Sequence, residues 1–272
     1  MNVTKAIIPV AGWGTRRLPI TKTIEKCMLP IGNRPLVDYV VQDCLKAGIS
    51  ELIFVVGEDS TQLEEYYRSN IKLNDYLRRN GKEDKLPLVA PLEGVKLHFI
   101  TQPSYGKYGT AVPIALATDY IDEGESAVVL MGDDFIWNPD GASEVARLLT
   151  ATPEGSCGLL AAQVPLESVG KYGVIDLDDE GNYVRIIDQP QPDEAPSNLI
   201  NISKYLLTKD VISRAADLLP AHNGEYQLPD AINAYVSEGG MVRVVAAQGE
   251  YLDGGSVEGW LHANNVVLKN KP

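Results

Sequence analysis

The chain reads as an α/β fold of three layers, with a mainly parallel central sheet and a smaller mixed β extension. Two observations carry that reading. Short apolar runs alternate with helical patterns from residue 5 to about residue 150, which is the pattern of repeated βαβ units and hence of a parallel sheet covered on both faces. Past residue 155 the runs shorten and turns multiply, so a mixed and partly antiparallel extension is expected there.

The elements justify this in order. Lys5 to Val10 is β-branched and apolar and stops at Ala11-Gly12, as a buried strand does before a tight turn. Pro35 opens and Gly48 closes a helical pattern through Leu36, Tyr39, Val40, Asp43, Cys44 and Ala47. LIFVV at 52–56 supplies the second strand. A helix over 61–79, a polar loop with Pro87 and Pro91, a strand over 96–101, a helix over 110–120, a strand over 127–131 and a helix over 141–150 follow. The later part reads as strands in GLLAAQV, YGVIDLD, YVRIID and NLINISKYLL, helices near 208–218 and 227–238, a last strand MVRVVAA, and a terminal helix near 256–268. No repeat or linker interrupts the chain, so residues 1–272 are expected to form one domain, with halves of about 1–155 and 156–272.

Composition narrows the function. The 272 residues are 44% hydrophobic and 22% charged, ordinary globular usage. A net charge of −13 disfavours nucleic acid or an anionic membrane as partner. No apolar run approaches the roughly 18 residues that span a bilayer, and the opening is too short for a secretory signal, so a cytoplasmic protein is expected. Cys27, Cys44 and Cys157 are unclustered and lie far from His98, His222 and His262, which points to neither disulfides nor zinc.

One loop departs from the acidic background. PVAGWGTRRLPITKTIEKCMLP, residues 9–30, gathers Arg16, Arg17, Lys22 and Lys26 at the carboxyl end of the first strand, where ligands of such sheets bind. Arg17 stands where a dinucleotide fingerprint needs its third glycine, and no Walker lysine follows. Gly12 and Gly14 let backbone amides approach an anion, Thr15 adds a hydroxyl, Arg16 a planar fork and Lys26 a compact charge. A glycine turn followed by a solvated cationic loop fits the spacing equally well.

GWGTRRLPITKTIEKCMLPI resembles the signature of the sugar nucleotidyltransferases, and most closely the bacterial UTP–glucose-1-phosphate uridylyltransferases, whose pattern runs G-x-G-T-R-x-L-P-x-T-K-x-x-P-K-E-M-L-P-I. Glu25 replaces a proline and Cys27 a glutamate. The resemblance continues through FITQPSYGKYGTAV, VVLMGDDF, GKYGVIDLD, GEYQLPDAI and YLDGGSVEGWLHAN. It implies a Rossmann-like nucleotidyltransferase fold and transfer of UMP from UTP to glucose 1-phosphate, with Mg2+ as cofactor and pyrophosphate released. It also implies the roles. Arg16 and Lys26 are catalytic; Ala11, Gly12, Gly14, Thr15, Gln102, Gly109 and Thr110 hold the nucleotide; Gly173, Asp188 and Glu225 hold the sugar; Asp133 and Asp253 hold the metal, with Asp134 less suited. Read alone, these aspartates are turn formers and Thr110 is a helix cap.

Two departures keep alternatives open. Thr110 stands where the uridylyltransferases usually carry histidine, and Gln189 replaces the lysine of V-E-K-P that binds the sugar phosphate, with Lys204, Arg185 and Lys171 as cations able to substitute. The alternatives are another nucleotide or sugar 1-phosphate, or a noncatalytic nucleotide-sugar-binding paralogue. The polar segment 70–91 is expected to be a peripheral insertion of the kind similar enzymes use in dimer contacts, which would make the protein a homo-oligomer.

Overall fold

The computed structural model describes residues 3–269. Strand β1 (Lys5–Pro9) leads through the basic loop to a small hairpin of β2 (Pro30–Ile31) and β3 (Arg34–Pro35), then to α1 (Leu36–Lys46) and β4 (Glu51–Gly57). An arm of α2 (Gln62–Tyr67) and α3 (Ile71–Arg79) precedes β5 (Lys96–Gln102), α4 (Val112–Leu116), β6 (Ser126–Leu130), β7 (Asp134–Trp137) and α5 (Glu144–Ala151). The remainder is β8 (Cys157–Gln163), β9 (Gly173–Leu177), β10 (Tyr183–Asp188), β11 (Leu199–Thr208), α6 (Lys209–Asp217), α7 (Leu228–Ser237), β12 (Val242–Ala246), β13 (Glu250–Asp253) and α8 (Val257–Lys269).

The expected parallel core is β5-β4-β1-β6, in which β1 pairs in parallel with both β4 and β6. At β11 the direction reverses: this long strand runs antiparallel to β6, β8 and β9, and β10 and β12 complete the mixed extension on β9 and β8. Alternation along β1 sends Ala6 and Ile8 to one face and Ile7 to the other, and each face meets its own helices. The first face packs against α1, α2, α5 and α8, the second against α4, α6 and α7, which makes the three layers. No helix among the described residues is long and apolar enough to cross a membrane.

Three elements differ from the sequence expectation. The helix expected over 61–79 breaks into α2 and α3, because Arg68 turns extended and the Asn70 side chain accepts from the Leu73 amide to start a new helix. The helix expected over 110–120 is only the five-residue α4 and a separate single turn at Thr118–Tyr120. The Lys209 ammonium takes the Thr118 carbonyl that a longer helix would have used. Finally, two strands that the sequence did not suggest, β7 starting in MGDDF and β13 within GEYLDGGS, pair antiparallel as a two-stranded sheet of their own.

Candidate active site

The basic loop leaves β1 at its carboxyl end, where the Val10 amide still bonds the Val55 carbonyl of β4 at 2.8 Å. Gly14 then takes a left-handed φ of 64°, and a Cβ there would stand 3.0 Å from both Lys26 Cβ and Thr21 Cγ2. Glycine is thus needed for conformation and for the approach of Lys26. The single helical turn Thr15–Arg17 follows. Arg16 is exposed, and Arg17 is buried.

Lys26 is ion-paired with Asp133, which sits just past β6. Asp253 reaches the same place from 120 positions away in sequence through the β7–β13 pairing. It lies in register with Asp134, and the next amide, Gly254, donates to the Asp133 carbonyl at 3.1 Å. The Asp253 carboxylate accepts from the Gly255 amide at 2.7 Å. A Cβ on Gly255 would lie 2.8 Å from Asp253 Oδ1 and 3.6 Å from Lys26 Nζ, so carboxylate and ammonium flank the space a side chain would fill. Gly132, the glycine of MGDDF, is equally constrained, since a Cβ there would stand 2.4 Å from Val10 Cγ1.

Gly14, Lys26, Gly132 and Asp133 border a cleft of about 240 Å3. Of the residues singled out in the sequence, Ala11, Gly12, Gly14, Lys26, Gln102, Gly109, Thr110, Asp133 and Glu225 line it. Gln102 brings a buried side-chain oxygen, Oε1, that has no hydrogen-bond partner within the protein, as an amide held for a ligand would. Gly109, at φ 129°, lies so close to the Tyr226 backbone that a Cβ would be 2.3 Å from its carbonyl oxygen. Backbone bonds from Tyr226 to Tyr108 and from Ala111 to Tyr226 lace the two loops together and carry Glu225 to the cleft. Thr110 does cap a helix, but its hydroxyl accepts from the Leu228 amide at the start of α7 rather than serving α4.

Thr15, Arg16, Gly173, Asp188 and Asp253 lie outside the cleft lining. Gly173 and Asp188 are direct partners in the β9–β10 ladder. The next residue, Gln189, is exposed with a left-handed φ of 46°, and its amide bonds the Tyr172 carbonyl. Two of the three substitute cations are already engaged. Lys204 is buried and ion-paired with Asp134, and Arg185 bonds Asp176 at 3.0 Å. Lys171, at the end of the turn before Tyr172, is exposed.

Asp134 faces away from Asp133 into the protein. Its carboxylate meets the Lys204 ammonium and accepts from the Tyr251 hydroxyl at 2.9 Å, while burial pushes its pKa up to about 6 despite that ammonium. It therefore braces the site from below. Cys27 is buried beside Lys26, and burial raises its thiol above the ordinary range, so it contributes bulk rather than a thiolate.

Sequence reasoning missed how the loop is held. Glu25 accepts from the Ser60 hydroxyl and from the Thr61 and Gln62 amides at 2.7, 3.0 and 2.9 Å, capping α2 from outside its own segment. Gln62 answers by bonding the Glu25 amide and the Thr23 carbonyl. Where similar sequences carry proline, this chain fixes the residue before Lys26 with four hydrogen bonds. The available signal was the Ser-Thr-Gln start of α2, which lacks a cap of its own.

Comparison with known proteins agrees with this arrangement. The nucleotidyl transferase family profile matches residues 5–270. The UTP–glucose-1-phosphate uridylyltransferase of Pseudomonas aeruginosa is 34% identical over 98% of this chain and 97% of that protein. UTP–glucose-1-phosphate uridylyltransferase 2 of Streptococcus pyogenes is 37% identical over 85% of this chain and 79% of that protein. Among solved structures, the UTP-bound UGPase of Acinetobacter baumannii superposes with a TM-score of 0.89 at 27% identity, covering 100% of this chain and 95% of that one. A UDP-glucose pyrophosphorylase complexed with UDP-glucose gives 0.83 at 29% identity, covering 99% and 100%. With the match spanning nearly the whole chain, this protein belongs to the nucleotidyl transferase family, among relatives that carry the name UTP–glucose-1-phosphate uridylyltransferase.

Proposed function

We propose that this chain is a magnesium-dependent uridylyltransferase that joins UTP and glucose 1-phosphate into UDP-glucose and pyrophosphate. The observation that carries the reading is the convergence of Lys26, Asp133 and Asp253 from three distant segments beside one cleft. Residues 1–272 then act as one catalytic domain. A cytoplasmic location and self-association through the 70–91 segment, where Ile71, Tyr76 and Leu88 are exposed, belong to the same proposal.

In this reaction a phosphate oxygen of the sugar attacks the α-phosphorus of UTP in line, and the α–β bridging oxygen leaves with pyrophosphate. Such transfer is mostly positioning and charge neutralisation. The amides of Ala11 to Thr15 cradle the triphosphate, Arg16 meets the departing pyrophosphate, and Lys26 sits between the two phosphates. Gln102 and the Gly109–Thr110 backbone read the pyrimidine edge, and Gly173, Asp188 and Glu225 receive the sugar.

The donor set fits a hard divalent ion. Asp133, paired with the Lys26 ammonium, and Asp253, on the neighbouring turn, offer carboxylate oxygens, and Mg2+ needs only one or two protein carboxylates plus phosphate oxygens. When bound, Mg2+ supplies neutralisation of the triphosphate charge. The protein's own part is to hold the Asp253 turn against Asp133 through the Gly254 amide and to keep Lys26 beside Asp133.

The direct test is pyrophosphate release with glucose 1-phosphate, Mg2+ and a panel of UTP, dTTP, CTP and ATP. UTP is expected to turn over fastest. A faster rate with dTTP would reassign the base, and binding of UDP-glucose without turnover of any triphosphate would reassign the chain to a noncatalytic sensor. The sugar-phosphate side gives a second expectation. With Lys204 and Arg185 engaged elsewhere, Gln189→Lys restores one charge-assisted contact and is expected to raise kcat/KM for glucose 1-phosphate by about ten- to a hundredfold. The KM for UTP should stay unchanged. Steady-state kinetics showing no gain would mean that the acceptor phosphate is already met by another cation.

A further inference from the structure

Arg17 occupies the variable position after G-T-R and has no assigned role. Its side chain is 5% exposed, and Nη1 donates to the Gly254 carbonyl at 3.0 Å and the Ser256 carbonyl at 2.6 Å. The guanidinium lies over the Trp260 ring, 5.2 Å from its centroid, and Nε is buried without a partner. Burying a guanidinium among neutral carbonyls with one donor unmet is costly. Burial lowers the Arg17 pKa, and the negative field of Asp253 and Glu258 counters only part of that cost.

The two carbonyls belong to the turn that presents Asp253. That turn is closed inside by Asp253 accepting from the Gly255 amide and is tied to Asp133 through the Gly254 amide. Arg17 adds the third tie, from the phosphate loop. Arg16, the preceding residue, is exposed to solvent.

We infer that Arg17 is a positioning residue that locks the Asp253 turn to the glycine loop and so sets the affinity of the site for a divalent cation together with the nucleotide. The inference rests on the function proposed above, and two opposing effects give it a sign. A cation beside Asp253 weakens metal binding by repulsion, whereas a fixed turn strengthens it by removing the cost of ordering the carboxylate. If positioning dominates, losing Arg17 weakens the metal; if repulsion dominates, losing it tightens the metal.

The test is a Mn2+ titration of the protein with saturating UTP, followed by electron paramagnetic resonance, for wild type, Arg17→Met and Arg17→Lys. Steady-state kinetics over a range of Mg2+ accompany it. Arg17→Met is expected to raise the Mn2+ dissociation constant and the half-saturating Mg2+ about tenfold, with KM for glucose 1-phosphate within twofold. Arg17→Lys, which keeps the charge and a donor at the carbonyls, is expected to recover to within about threefold of wild type. Mn2+ affinity of Arg17→Met unchanged or tighter overturns the inference, whatever happens to its melting temperature. If Arg17→Met fails to fold, Arg17→Lys matching wild type in Mn2+ affinity still supports the inference, and Arg17→Lys binding Mn2+ as much as tenfold more weakly overturns it. A wild type that binds Mn2+ and UTP yet releases no pyrophosphate would sink the proposed reaction and leave this readout intact.

Discussion

Asp133→Asn is expected to lower kcat by at least about a thousandfold, equivalent to roughly 4 kcal/mol of transition-state stabilisation, while the protein stays folded. Asp133 is the partner of Lys26, and its side chain is 35% exposed toward the cleft, so the substitution removes an anion from a half-open site rather than from the core. Lys26 retains Asp253 nearby. Because Lys26 and Asp133 act as a unit, Lys26→Met should cost a similar factor, and the double variant little more than either single one. Pyrophosphate release and circular dichroism on the same preparations check this. A kcat within tenfold of wild type for Asp133→Asn would remove the metal aspartate from the mechanism.

Lys204→Met is expected to be the most destabilising single change near the site. It leaves the buried Asp134 carboxylate with Tyr251 alone. Stranding one member of a buried ion pair costs about 3–5 kcal/mol, or on the order of 10 °C in Tm. Replacing both members, as in Lys204→Met/Asp134→Leu, should recover most of that loss. The pH dependence has a definite sign. Burial holds the Asp134 pKa at about 6 in the folded protein, above its unfolded value near 4. The folded state therefore binds the extra proton between those values, and this group makes stability fall as pH rises from about 4 through about 6. Loss of Lys204 pushes the folded value higher, so the destabilisation of Lys204→Met is greatest at neutral pH and shrinks in acid. Thermal melts at pH 5 and pH 8 test this; a larger deficit at pH 5 would contradict it.

The local part of this architecture was legible. The KAIIP run, its stop at Ala11-Gly12 and the Pro35-to-Gly48 helix are set by neighbours in sequence, and β1, α1 and β4 appear where those signals place them. The cleft was legible for a different reason: Gly12, Gly14, Gln102, Gly109, Asp133 and Glu225, singled out in motifs that resemble those of a known family, all line it. What could not be read was which polar side chain turns inward. Arg17 bonds carbonyls 237 and 239 positions away and Lys204 pairs with a carboxylate 70 positions away, and both look like surface cations until the sheet closes. Asn70, by contrast, carried a helix-start signal that the 61–79 periodicity hid.

The bonds between Glu25 and the start of α2 make one further point. Glu25 immediately precedes Lys26, so the ammonium takes its bearings from a helix on the outer arm as well as from the sheet. Ser60 and Gln62 lie outside the cleft lining, yet they belong to the same mechanical frame as Lys26, and whatever leans on that arm leans on Lys26.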